Sequence, residues 1–250
     1  ACFSLTCFLF PTPTSRHCVS AGIIYGIGVV EQVEHWRKDT TAIDESQEKK
    51  NWSILFLTHQ PEEPMHYKLL GRSGLRVSEL CLGTMTFGET WGWGASKSES
   101  KKMFDLFAKE GGNFIDTSVN YTVGTSEEFL GDFLKTDRDH FVVATKYTLT
   151  KPDNTDPNGG GNSRKNMMKS VEKSLKRLIT DHIDLYYLHM WDYMTPVEEV
   201  VRGLDDLVRQ GKVLYVAFSD TPDYIVAEAN TRADLMGWSR FIGIQIPYSL

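Results

Sequence analysis

Three apolar runs each end in a residue that can ionise or carry a proton. Asn113-Phe-Ile-Asp116 ends in a carboxylate, with a phenol just beyond it at Tyr121. Phe141-Val-Val-Ala-Thr-Lys146 ends in an amine, and Asp184-Leu-Tyr-Tyr-Leu-His189 ends in an imidazole. Each run has the length and composition of a buried strand. Side chains at the C-terminal ends of parallel strands converge on one rim of a barrel. Gathered there, Asp116, Tyr121, Lys146 and His189 would form a proton-transfer site. An ammonium beside a phenol is expected to favour phenolate and lower its pKa. A carboxylate would hold the ammonium, an imidazole would hydrogen-bond a substrate oxygen, and Tyr121 would protonate an oxygen that gains charge.

Taken singly, each residue has an ordinary reading. Asp116 could cap a turn, and Tyr121 could be a loop tyrosine. Lys146 could reach solvent, and His189 could be a hydrogen-bonded core histidine. Their joint placement on neighbouring strand ends favours the site.

The elements that must position these groups alternate along the chain. Tyr67–Leu70 and Leu75–Val77 flank a turn and predict a hairpin. The run Leu80–Gly83 follows, then a helix from Ser98, its N-cap, to Glu110, with Met103, Leu106 and Phe107 inward. A second helix follows Asp116, opened by a capping box of Thr125 and Glu128. A long loop, Lys151–Asn162, precedes a helix over 163–179. A second capping box, Thr195 with Glu198, opens the helix after His189, with Pro196 as its first residue. Strands at Val213–Ser219 and Phe241–Ile246 enclose a helix opened by Thr221-Pro222.

Strand ends at Gly83, Asp116, Lys146, His189, Ser219 and Gln245 are spaced 33, 30, 43, 30 and 26 residues apart. Each spacing holds one strand and one helix. The stretch after Gly83 is not a glycine-rich nucleotide loop, which argues for a barrel over a doubly wound sheet. The fold class expected is therefore α/β, a (β/α)8 barrel of the TIM type, incomplete, with about six of its eight strands before Leu250.

Residues 1–64 read differently, with no sustained period. They are expected to form an atypical and poorly ordered N-terminal extension, with residues 65–250 as the partial barrel and Met65, the first methionine, as the natural start. Gly26-Ile-Gly28 lacks the third glycine of a nucleotide fingerprint, and the sequons at Asn51 and Asn120 are taken as chance matches. The six open strands are expected to leave two exposed edges.

Composition narrows the function. A net charge of −6 with no long Lys/Arg cluster argues against a nucleic-acid partner. No apolar run has the length of a membrane span. Cys2, Cys7, Cys18 and Cys81 make neither a disulfide framework nor a zinc site, so a reducing, cytoplasmic setting without a metal is expected. Oligomeric state is not readable from the sequence.

Residues 65–250 resemble the aldo-keto reductase family. The resemblance rests on Met65-His-Tyr-Lys-Leu-Leu-Gly-Arg-Ser-Gly through Leu82-Gly-Thr-Met-Thr-Phe-Gly88, and on Phe114-Ile-Asp-Thr-Ser-Val-Asn-Tyr121 with Thr125-Ser-Glu127. It extends to Gly161-Asn-Ser-Arg164 and Asp181-His-Ile-Asp-Leu-Tyr-Tyr-Leu-His189. It implies a reductase of aldehydes or ketones using NADPH, with NAD left open and a small carbonyl compound as substrate. Asp116, Tyr121, Lys146 and His189 would be its tetrad, with Tyr121 the general acid. Ser219, Asp220 and Gln245 would hold the nicotinamide carboxamide, with Thr84 and Met85 beside it. Asp220 departs from the asparagine common there. Trp91, Trp93 and Trp191 would wall the substrate pocket. Two other readings stay open: a non-catalytic regulatory subunit on the same scaffold, or an inactive truncated fragment.

Overall fold

The computed structural model describes residues 5–8, 22–25, 65–149 and 156–248. Among them are ten strands: β1 (Leu5–Phe8), β2 (Gly22–Tyr25), β3 (Tyr67–Leu69), β4 (Arg76–Ser78), β5 (Leu80–Gly83), β6 (Phe114–Asp116), β7 (Val142–Tyr147), β8 (Ile183–Leu188), β9 (Val213–Ser219) and β10 (Phe241–Tyr248). Five α-helices accompany them: α1 (Lys97–Lys109), α2 (Thr125–Phe133), α3 (Arg164–Leu178), α4 (Val197–Arg209) and α5 (Asp223–Met236).

Strands β5 to β10 lie side by side in chain order, each parallel to the next. Sequential order is the signature of a barrel wall; a doubly wound sheet reverses its order at a crevice. The six strands with their helices form an incomplete (β/α)8 barrel, and β3 with β4 make the expected hairpin before it. The two edges are not bare. Strand β1 pairs antiparallel with β10, and β2 pairs parallel with β5. An unpaired edge offers a row of backbone donors and acceptors, which any extended segment can satisfy. The rest of residues 1–64, with Gly26-Ile-Gly28 and Asn51, lies outside the described residues.

Period-2 alternation divides the wall into an inner and an outer layer. Phe114, Val142, Ala144, Leu185 and Tyr187 face inward and share one apolar cluster with Cys81 and Ala217. Ile115 and Val143 face outward and pack on Phe104, Leu130, Phe133 and Leu178 of the helices. Further along, Tyr186, Leu188, Val216 and Phe218 form an outer cluster with Met167, Val171, Val200, Leu204 and Leu207. Every residue of β7 and β8 is buried, as parallel strands covered on both faces require.

The helix starts shift from the sequence expectation. Ser96, not Ser98, caps α1, and Glu99 completes its capping box. Helix α1 buries Phe104 and leaves Leu106 exposed, one step around the helix from the expected face. Thr125 is the first residue of α2, so it caps nothing; Gly124 holds the cap position in a left-handed conformation. The second expected capping box is also absent, because Pro196 itself is the N-cap of α4. Thr195 instead gives both its amide and its hydroxyl to the carboxylate of Asp192.

Helices α2 and α3 approach closely where α2 carries Gly131. A Cβ on Gly131 would stand 2.2 Å from the carbonyl oxygen of Arg177 and 3.0 Å from the carbonyl carbon of Leu178. Both are backbone atoms and cannot rotate away. Gly131→Ala is expected to destabilise the fold by about 1–3 kcal/mol, read as a lower urea midpoint; an unchanged midpoint would show that the two helices are free to separate.

Candidate active site

Register explains how the inner side chains meet. Asp116 on β6 pairs with Ala144 on β7. Lys146 lies two residues further along β7, on the same inward face, and pairs with Tyr187 of β8. His189 follows β8, two residues on from Tyr187 and in phase with it. Tyr121 is delivered by the loop after β6. So the three strand ends supply three of the groups, and one loop supplies the fourth.

The centre is Lys146, buried with Asp116 at 1 % exposure each. Its Nζ donates to both carboxylate oxygens of Asp116 at 2.6 Å, to the carbonyl of Thr117 at 2.8 Å and to the hydroxyl oxygen of Tyr121 at 3.3 Å. An ammonium has three N–H groups, and here one goes to each partner residue. The Tyr121 oxygen therefore accepts from Lys146, and its own proton is left for another acceptor. Tyr187 adds its ring face 5.6 Å from the same ammonium.

Electrostatics correct one expectation. The ammonium does not bring the Tyr121 phenol down. Burial pushes its pKa well above the usual tyrosine value, and the carboxylates of Asp116 and Asp220 push the same way. Burial also raises Asp116, opposed by Lys146 and by its hydrogen bonds. His189 goes the other way, to about 3, because burial and the nearby ammonium both disfavour imidazolium. The site at neutral pH thus holds an undissociated phenol and a neutral imidazole.

His189 lies edge-on to Tyr121, ring centroids 5.8 Å apart. Its Nδ1 is 3.1 Å from the hydroxyl of Ser118, which also lies 2.6 Å from Oδ1 of Asn120. Ser118 has one proton to give. Given to Asn120, it makes Nδ1 the donor and Nε2 an acceptor; given to Nδ1, it leaves Nε2–H as a donor. Ser118 was not singled out from the sequence, and Asn120 only as a chance sequon, because short polar residues after a strand look like turn formers.

The remaining candidates are placed as follows. Gln245 is paired with Ser219 across β10 and β9, and both are buried. The Gln245 amide reaches Asp116 at 3.5 Å, and its Oε1 has no hydrogen-bond partner. Asp220 holds a left-handed backbone, φ 37°, with its amide on the Gln245 carbonyl and its own carbonyl accepting from the amide of Trp191. Burial raises its pKa against the pull of Lys146. Thr84 is fully buried, its hydroxyl engaged with the Asp116 carbonyl and Ser126. Met85 is half-buried beside it in sequence. Trp91 and Trp93 are exposed and face each other at 5.7 Å, in the loop after β5. Trp191 is separate from them, buried in the outer cluster against α4.

The loop that carries Tyr121 is strained. Thr122, Val123 and Gly124 have φ of 44°, 62° and 98° in succession. A β-branched residue there costs on the order of 1–3 kcal/mol. Thr122 is pinned on both sides: its hydroxyl donates to the Phe87 carbonyl, and its carbonyl accepts from Thr90, each at 2.5 Å.

A family model described as "Aldo/keto reductase family" matches residues 79–250. Norsolorinic acid reductase B of Dothistroma septosporum is 43% identical over 196 residues, covering 74% of this chain and 50% of that protein. Aryl-alcohol dehydrogenase [NADP(+)] of Phanerodontia chrysosporium is 43% identical over 201 residues, covering 73% and 52%. A putative aryl-alcohol dehydrogenase of Saccharomyces cerevisiae is 37% identical over 196 residues, covering 74% and 52%. The chain spans about half the length of the curated relatives it matches.

A buried ion pair is costly to break because the surviving charge has no solvent. Lys146→Met is expected to destabilise the fold by roughly 3–5 kcal/mol at neutral pH. The cost should shrink as pH falls, since protonated Asp116 needs no counter-charge, and Asp116→Leu added to it should recover most of the loss. Urea melts of the single and double variants that coincide at all pH values would contradict the pairing.

Proposed function

This chain belongs to the aldo/keto reductase family, and on that premise we propose that it carries the proton-transfer centre of an NADPH-dependent reductase acting on aldehydes or ketones, with Tyr121 as general acid. The observation that carries this reading is the donor accounting at Lys146. With the ammonium committed to Asp116, Thr117 and Tyr121, the phenol proton is the one free to reach a substrate oxygen.

The residues present fit a nicotinamide group. Oε1 of Gln245 is a buried acceptor without a partner, which suits the amide N–H groups of a carboxamide. Ser219 beside it and Asp220 at the strand end would complete that contact. When bound, the dinucleotide supplies the hydride. The protein's part is to hold the carbonyl oxygen against Tyr121, to give it a proton as negative charge develops, and to stabilise the resulting phenolate with the Lys146 ammonium. His189, neutral at physiological pH, would orient the same oxygen in the tautomer that carries Nε2–H, with Nδ1 accepting the Ser118 proton. Its depressed pKa predicts no change in rate near the ordinary histidine range. Preference for NADPH over NAD is carried by the family and by the name of one relative, an aryl-alcohol dehydrogenase [NADP(+)].

Two of the relatives are named as aryl-alcohol dehydrogenases, and Trp91 with Trp93 offer exposed aromatic faces in the loop after β5. An aromatic carbonyl compound is accordingly the substrate class proposed, with stacking on these rings as its anchor. Nothing in this reading calls for a nucleic acid or a lipid surface, and among the described residues no helix is long and apolar enough to cross a membrane.

Tyr121→Phe is the test. It removes only a hydroxyl and is expected to lower turnover of an aromatic aldehyde with NADPH by about 10²–10⁴-fold, with the fold intact by circular dichroism. Turnover equal to the parent would remove Tyr121 as the acid.

A further inference from the structure

Arg177 lies near the C-terminal end of α3, on the outer side of the wall, at one remove from the tetrad. Its Nη1 donates to the carbonyl of Val119 at 2.8 Å and to Oε2 of Glu127 at 3.1 Å. The guanidinium also lies against Gly124: a Cβ there would stand 2.2 Å from its Cζ and 2.4 Å from Nη2. Val119 and Gly124 bracket Tyr121. A single planar cation therefore touches the start and the end of the loop that carries the phenol, and only a glycine at 124 admits it.

The other end of this contact leads to Lys146. Glu127 is fully buried on α2, where a first-turn glutamate is ordinarily solvated. Its Oε1 accepts from the hydroxyl of Thr145 at 2.8 Å. Thr145 points outward from β7, and the next residue, Lys146, points inward to Tyr121. Burial raises the pKa of Glu127, while Thr145 and Arg177 act to keep it charged. The chain of contacts is Tyr121 loop, Arg177, Glu127, Thr145, then the strand of Lys146. The loop needs such a restraint, because three consecutive residues hold positive φ within it and would relax if released.

We propose that Arg177 and Glu127 are positioning residues that clamp the Tyr121 loop to β7 and so set the distance between the phenol oxygen and Lys146. The catalytic consequence rests on the reading of Tyr121 as the acid; the clamp itself does not. Arginine suits the role because the two N–H groups of Nη1 reach a carbonyl and a carboxylate together while the planar guanidinium lies against the backbone of Gly124.

The test is amide hydrogen exchange on the full chain, with turnover measured in parallel. The amides of Val119, Tyr121 and Val123 bond to the carbonyls of Lys146, Ser118 and Asn120 and so report on the loop. Arg177→Ala is expected to speed their exchange about tenfold or more while leaving α4 amides unchanged. Turnover of an aromatic aldehyde should show kcat lower by on the order of 10²-fold, with KM for NADPH within about twofold. Arg177→Lys should recover part of both effects. Unchanged exchange in the loop, or equal acceleration in α4, would overturn the clamp. If Arg177→Ala does not fold, Arg177→Lys and Glu127→Gln carry the same comparison. If the parent shows no turnover, the reductase reading fails alone, and the exchange data still decide the clamp.

Discussion

A buried ammonium must find a partner for each of its three N–H groups, and the structure around Lys146 is arranged to supply them. Desolvating such a charge costs several kcal/mol unless the geometry of its partners is good. The carboxylate of Asp116 answers the charge, the Thr117 carbonyl takes a second donor, and the Tyr121 oxygen takes the third. That requirement fixes which way the phenol presents its proton. It also fixes the relative placement of β6, β7 and the intervening loop to within hydrogen-bond tolerance.

The fold meets this constraint through two periodicities. Strand alternation sends Asp116, Lys146 and Tyr187 inward and Thr145 outward, so one strand serves both the site and its support. Helix packing then covers the outward face, with Gly131 allowing α2 to reach α3 and Glu127 brought under the wall. Local strain at Thr122, Val123 and Gly124 is tolerated because hydrogen bonds from Thr90, Thr122 and Arg177 over-determine the loop. The depressed basicity of His189 and the raised pKa of Tyr121 have one cause, the removal of water from the same small volume.

Much of this was legible in the sequence. Strands β5 and β9 have the bounds expected from their apolar runs, and the even strand-helix spacing with no glycine-rich loop after Gly83 pointed to a barrel wall rather than a doubly wound sheet. The gathering of Asp116, Tyr121, Lys146 and His189 was legible because each ends a short apolar run or lies just after one. Helix starts were less so: Thr125 and Thr195 fit the capping pattern, but a cap depends on where the backbone leaves the helix, and Gly124 and Pro196 decide that. Strands on the two barrel edges were not readable either, since β1 and β2 are four residues each, in a segment without a period. Glu127 and Arg177 were hidden because a charged residue on a helix reads as a solvated face; only the packing of α2 on α3 shows otherwise. The direction of the Tyr121 shift was missed for a similar reason. A neighbouring charge is visible in a motif, but the depth of burial that outweighs it is not.

Lys146 orients the Tyr121 phenol, and burial leaves that phenol undissociated. The most direct measurement is a pH titration of the Tyr121 ring carbon bearing oxygen, followed by NMR on tyrosine labelled with carbon-13 and assigned with Tyr121→Phe. That resonance is expected to show no titration up to about pH 10, the ordinary tyrosine value. A midpoint of about 7 to 9 would contradict it and show that the ammonium, not burial, governs the phenol.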